Sequence, residues 1–165
     1  MMSSKDRILA AARACLRESG DLTMAQTAEK AGVSRQAVYL HFPGREALLD
    51  ALRAEAPASP DLDAAPSARA ALGLLIAAQS HADPALMALA EPAIAAEARL
   101  ETCRRVAGRF KDEGALAPQL SVETAAALLW TLTSPAVWRD LTGLGWGAER
   151  YRSHVTFLAV GVLTK

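Results

Sequence analysis

Arg35, Gln36 and Ala37 open a short helix directly after an Ala31-Gly32-Val33-Ser34 turn. Side chains in that order suit the edge of a DNA base pair. Arginine can donate two N–H bonds to guanine, glutamine can pair with adenine, and alanine can meet the methyl group of thymine. Around them stand groups that suit phosphate: Thr23, Ser34, Tyr39, His41 and Arg45, with the N-terminus of the helix that Arg45 begins. Contacts of that kind fix register without reading sequence. Taken singly, Arg35 and Gln36 are an ordinary solvated helix start. Tyr39 and His41 are an ordinary packed aromatic and a satisfied histidine. It is their joint spacing, inside one structural context, that points to double-stranded DNA.

That context is two short helices, 24–31 and 35–41, joined by a turn that contains Gly32. A helix-turn-helix unit needs such a turn between helices at a steep angle. Thr23 and Ser34 are suited to cap the two helices by accepting a backbone N–H bond. Ala28 and Val38 are small and apolar where the helices must touch. A first helix precedes them, with Ile8, Leu9, Ala12, Cys15 and Leu16 at helical spacing and Gly20 as its stop. Pro43-Gly44 breaks the third helix, and a fourth, over 45–54, packs through Leu48, Leu49 and Leu52.

Residues 5–54 resemble the DNA-binding head of TetR-type transcriptional regulators. The resemblance is carried by Ile8-Leu9-Ala10-Ala11-Ala12, the Gly20 break, Thr23, Ala28, Ala31-Gly32-Val33-Ser34, Val38-Tyr39-Leu40-His41-Phe42 and Glu46-Ala47-Leu48-Leu49. It implies a three-helix head whose third helix enters the major groove. It also implies a fourth helix that leads to a helical body for effector binding and dimerisation. Two positions depart from the pattern. Ala25 stands where the family often has a polar reader, which narrows base reading to the third helix. Thr27 stands where a larger aliphatic residue is usual, which loosens the packing between helices. The linker and body are short for the family.

Composition sets the wider frame. Hydrophobic residues make up 52% of the 165, and only 5% are aromatic. That alanine- and leucine-rich balance favours helix, and no long alternation of β-branched residues argues for a sheet. The expected fold is all-α. Formal net charge is zero, and residues 1–55 hold eight Lys/Arg against seven Asp/Glu. A broad basic field is therefore excluded, and DNA affinity must come from a local face with a moderate salt dependence. Cys15 and Cys103 fit buried thiols in a reducing compartment, not a metal-ligand spacing. The sequence shows no signal peptide, and its apolar runs at 70–78 and 157–163 are shorter than the roughly 18 residues of a membrane span. A cytoplasmic protein with no membrane attachment, metal or cofactor is expected.

The second half reads as a domain over 67–165, joined to the head (1–55) by a Pro- and Asp-rich linker, 56–66. Helices are expected at 67–81, 84–90, 93–113, 122–133 and 148–163. Ser134-Pro135 breaks the fourth of these, a turn or two follow at 136–141, and Gly143, Gly145 and Gly147 mark a loop. Leu75, Met87, Cys103, Phe110 and Trp130 are the apolar candidates to line an effector chamber, although pocket walls and cores share this composition. Trp138 and Trp146 suit packing near the loop, and Arg104-Arg105 a solvated pair. Leu128, Leu129 and Leu132 form one stripe, and Tyr151, Val155, Leu158 and Val162 another. By the resemblance, two such helices from each subunit make a four-helix interface. The alternative is that both stripes bury within one chain. A homodimer would suit a palindromic operator with half-sites a helical turn or more apart.

The expected function is a dimeric DNA-binding repressor, released by a small apolar or amphipathic effector. One rival keeps the head but gives the body only dimerisation or a protein partner. An enzyme is disfavoured, because His41, His81 and His154 lie in separate elements and no catalytic set stands out.

Overall fold

The computed structural model describes residues 2–55, 59–80, 83, 86, 91 and 93–164. Nine helices are present among them, with no strand beyond a single antiparallel bridge between Leu116 and Thr164. The all-α expectation holds. The chain divides into two compact units.

The first unit contains α1 (Ser4–Ser19), α2 (Met24–Ala31), α3 (Arg35–His41) and α4 (Arg45–Ala54), with Asp83 and Leu86 gathered onto it. The starts of α1, α2 and α3 are each set by a local side-chain bond. Ser3 and Thr23 form capping boxes: their hydroxyls accept from the backbone of Asp6 and Gln26, whose side chains accept in return from the cap backbone. Ser34 accepts from the Ala37 N–H at 3.1 Å. Gly20 and Gly32 end α1 and α2 at φ 73° and 64°, the left-handed region that glycine enters without a Cβ penalty. Ile8, Leu16, Leu22, Val38, Leu48 and Leu52 meet in the core these helices enclose.

The second unit contains α5 (Ala68–Ser80), α6 (Ala93–Asp112), α7 (Val122–Leu132), α8 (Pro135–Gly143) and α9 (Ala148–Leu163). α6 packs along α7, and α5 packs on α6, α8 and α9. Ser134-Pro135 does break the chain, but Pro135 then begins a nine-residue helix with Ser134 as its cap. Proline is favoured there because the first helical N–H has no intrahelical partner to lose. The stretch 59–66, read from composition as linker, is fastened to this unit. Leu62 and Ala65 are buried, and Arg109 donates to both of their carbonyls, at 2.6 Å to Ala65. Of the short helix expected over 84–90 only Leu86 is among the described residues, and His81 and Met87 lie outside them.

Candidate nucleic-acid interface

The turn between α2 and α3 is held from two sides. Within it, the Gly32 and Val33 N–H groups donate back to the carbonyls of Glu29 and Ala28. From α1, Arg7 Nη2 donates to the carbonyls of Ala31 at 2.6 Å and Gly32 at 3.2 Å. That clamp ties the angle between the two helices to the first helix of the head. Thr27, a departure from the family pattern, is fully buried, and its hydroxyl donates to the Thr23 carbonyl at 2.9 Å.

α3 turns Val38 into the core, and Phe42 follows it there from the C-cap. The opposite face carries Arg35, Gln36, Tyr39 and Leu40, all exposed, with Ala37 half-buried beside them. His41, Thr23 and Ser34 are exposed too. The eight residues proposed from sequence as DNA contacts are therefore all on the surface of one small unit. Thr23 and Ser34 also serve as caps, which fixes their side chains against their own helices.

The arginines separate into two kinds. Arg7 is held by carbonyls, Arg13 by Glu55, Arg17 by Asp83, Arg45 by Asp21 and Glu46, and Arg53 by Asp50. The side chains of Arg35 and Gln36 make no hydrogen bond or ion pair among the described residues. Arg45 is the most heavily committed: it donates to Asp21 at 2.6 Å, to Glu46 at 3.0 Å and to the Leu22 carbonyl at 3.2 Å. The hydrogen bond from Arg45 holds the Asp21 carboxyl below the usual carboxylate range. Arg45 thus fastens the start of α4 to the α1–α2 connection, and reaches a phosphate only by exchanging partners. The N-terminus of α4 has no side-chain cap, unlike those of α1, α2 and α3. Leu40 was not among the residues singled out for chemistry; its signal is exposure, which periodicity in a seven-residue helix does not give.

In the second unit, Leu75, Cys103 and Phe110 are buried in the core and Trp130 is half-buried. Trp130 belongs to a charged cluster. Arg99, 8% exposed, donates from Nε and Nη2 to the two Glu91 oxygens at 2.9 Å each. Its Nη1 donates to the Trp130 carbonyl at 2.6 Å, and its guanidinium lies 4.7 Å from the centre of the Trp130 ring. Burial pushes the Cys103 thiol up, and its sulfur sits 3.9 Å from the Thr133 hydroxyl. Tyr151 is fully buried, stacked edge-on against Trp138 at 4.8 Å, and its hydroxyl has no hydrogen-bond partner among the described residues. Burial raises that hydroxyl to about 12. Trp146 packs on His154 and Arg150, and Arg104 and Arg105 pair with Glu101, Glu123 and Asp63.

The two expected interface stripes are divided by the structure. Leu129, Tyr151 and Val155 are covered within the chain, because α9 turns Tyr151, Val155, Ala159 and Leu163 inward at i, i+4, i+8 and i+12. Leu128 and Leu132 are half-buried. Leu158 and Val162 remain exposed, and they share their face with Phe157, which is 76% exposed and was not anticipated.

Residues 8–52 match the family model of bacterial regulatory proteins of the tetR family. The head is therefore similar to the DNA-binding part of that family. The whole chain also has the fold of TetR-family regulators. It superposes on NalD of Pseudomonas aeruginosa, the secondary repressor of the MexAB-OprM multidrug efflux pump, with a TM-score of 0.76 at 19% identity, covering 98% of this chain and 96% of that one. It superposes equally well on the ketosteroid transcriptional regulator KstR2 of Mycobacterium tuberculosis: TM-score 0.76, 19% identity, 100% and 97% coverage. For TylP, a TetR regulator of Streptomyces fradiae, the TM-score is 0.64 at 21% identity, with 98% and 87% coverage. No curated protein matches the sequence. Among the described residues, no helix is long and apolar enough to cross a membrane, and no three His, Cys, Asp or Glu side chains gather as a metal site.

Proposed function

We propose that this TetR-type chain is a sequence-specific DNA-binding transcriptional regulator, acting as a dimeric repressor on a palindromic operator. The observation that carries the reading is the state of Arg35. It is the one head arginine with no partner among the described residues, and it stands with Gln36 at the exposed start of α3. An arginine that is to bond guanine through two donors must not be spent on a carboxylate. Tyr39, His41, Thr23, Ser34 and the uncapped start of α4 then serve phosphates, with Arg45 positioning that start. Near-zero net charge leaves specificity to these few contacts.

Dimerisation is proposed through the exposed apolar face of α9, with Phe157, Leu158 and Val162 at its centre and Leu128 and Leu132 of α7 beside it. In the same proposal, a small apolar or amphipathic effector enters the second unit and binds more tightly to a state with low operator affinity. The release is a differential affinity between two states. NalD's role as a repressor supports repression as the output.

The test is a pair of titrations against a duplex selected from random DNA and against its scrambled version. Arg35→Ala should lose about 1–3 kcal/mol of discrimination between the two, the value of a bidentate base contact. Arg45→Ala should weaken both duplexes alike, because it disturbs position and not reading. Wild-type discrimination in Arg35→Ala would remove the assignment.

A further inference from the structure

We infer that Leu40 is a further specificity residue of α3, packing on the 5-methyl group of a thymine in the major groove. The inference rests on the DNA-reading role proposed above. Leu40 is 80% exposed, although the same helix buries Val38 completely. It stands on the face that carries Arg35, Gln36 and Tyr39, so an apolar side chain is placed among polar ones that face the same partner. On the base edges of a major groove the thymine methyl is the one projecting apolar group, and the other groups by which the bases are told apart there are hydrogen-bond donors and acceptors. Leucine has nothing to offer those groups, and burying one against them without a bond would weaken binding.

The register agrees. Leu40 follows Gln36 by four residues, so the two lie on one side of the helix, about 6 Å apart along its axis. Base pairs are stacked about 3.4 Å apart, so the thymine falls one or two steps from the pair that Gln36 reads. Helical side chains lean toward the N-terminus, which brings the Leu40 methyl groups over the turn that bears Gln36 and Ala37. Ala37 is half-buried and short, and leaves that space to Leu40.

The experiment uses the full chain and duplexes selected from random DNA. Each thymine is replaced in turn by deoxyuridine, which removes the methyl group and keeps the pairing edge. Wild type and Leu40→Ala are titrated against every duplex by fluorescence anisotropy. At one thymine per half-site, uridine should weaken wild type about fourfold, the worth of one buried methyl group. The same replacement should leave Leu40→Ala unchanged. Equal responses of the two proteins at every thymine, or no response at any, would overturn the role of Leu40 while sequence-specific binding stood. A selection that enriches no sequence would instead bring down the DNA-reading proposal, and this one with it. Thermal unfolding of Leu40→Ala should match wild type, since the side chain is outside the core. A lowered midpoint would show that Leu40 serves folding, and would also overturn the inference.

Discussion

In the first unit, the arginine pairs sit at the surface; in the second, Arg99 is paired inside. Arg17, Arg45 and Arg53 keep at least a quarter of their side-chain surface in water beside their carboxylates, whereas Arg99 keeps 8%. The difference separates two uses of charge. Surface pairs in the head are weak and exchangeable, which suits a unit that meets a polyanion. A buried pair with a carbonyl and a ring to satisfy it is costly to break, and it fixes how α6 meets α7 and the Glu91 segment. The head turns Arg35 and Gln36 outward with no partner among the described residues; the second unit has surface pairs too, such as Arg104–Glu123 and Arg105–Asp63, but it also holds Arg99–Glu91 inside.

The sharpest way to break this comparison is Arg99→Ala. It leaves the Glu91 carboxylate and the Trp130 carbonyl without their partner. We expect a loss of roughly 2–4 kcal/mol in chemical denaturation, less than for a wholly buried pair because Glu91 keeps some contact with water. A change within experimental error would make the cluster as exchangeable as the head pairs. Next in size is Gly32→Ala. A side chain at φ 64° costs about 1–2 kcal/mol, and its Cβ would stand 3.2 Å from Arg7 Nη2. The added methyl thus disturbs the clamp on the helix-turn-helix as well as the turn. Operator affinity should fall along with the unfolding midpoint, and a stability loss with unchanged affinity would free the clamp from any role in DNA binding.

Phe157→Glu tests the outward face of α9. Because the ring is exposed within the chain, folding should be kept, while sedimentation should show a shift toward monomer. A dimer of unchanged strength would move the interface elsewhere. The smallest expected effect is that of Tyr151→Phe. Among the described residues its hydroxyl is buried without a partner, a state that costs about 1–3 kcal/mol where no water or ligand relieves it. The variant should therefore match or exceed wild type in stability. A loss above about 1 kcal/mol would reveal a bound partner for the hydroxyl.

The head was legible because its signals are local. Thr23, Ser34, Gly20 and Gly32 act through bonds within three or four residues, and so the end of α1, both limits of α2 and the start of α3 follow from sequence. The commitments of its arginines were not legible, since Asp21 and Arg45 meet across two helices. In the second unit the helices were readable, but not the faces. α9 is apolar on both sides, so a stripe through Leu158 and Val162 competes with one through Ala159 and Leu163, and only packing chooses between them. Arg99 does carry a signal in the sequence: it stands on the same face as Cys103, Val106 and Phe110, at i, i+4, i+7 and i+11, where α6 is buried. Composition registers the Pro and Asp content of 59–66 and not its two buried anchors, Leu62 and Ala65.

The central claim is that Arg35 and Gln36 read DNA from a paired head. Selection of bound duplexes from a random pool, carried out with the full chain, tests it most directly. The pool should yield an enriched palindrome whose half-sites are separated by one helical turn, about 34–36 Å, or a multiple of it. A pool that stays without pattern, or an enriched site with no two-fold symmetry, would contradict it.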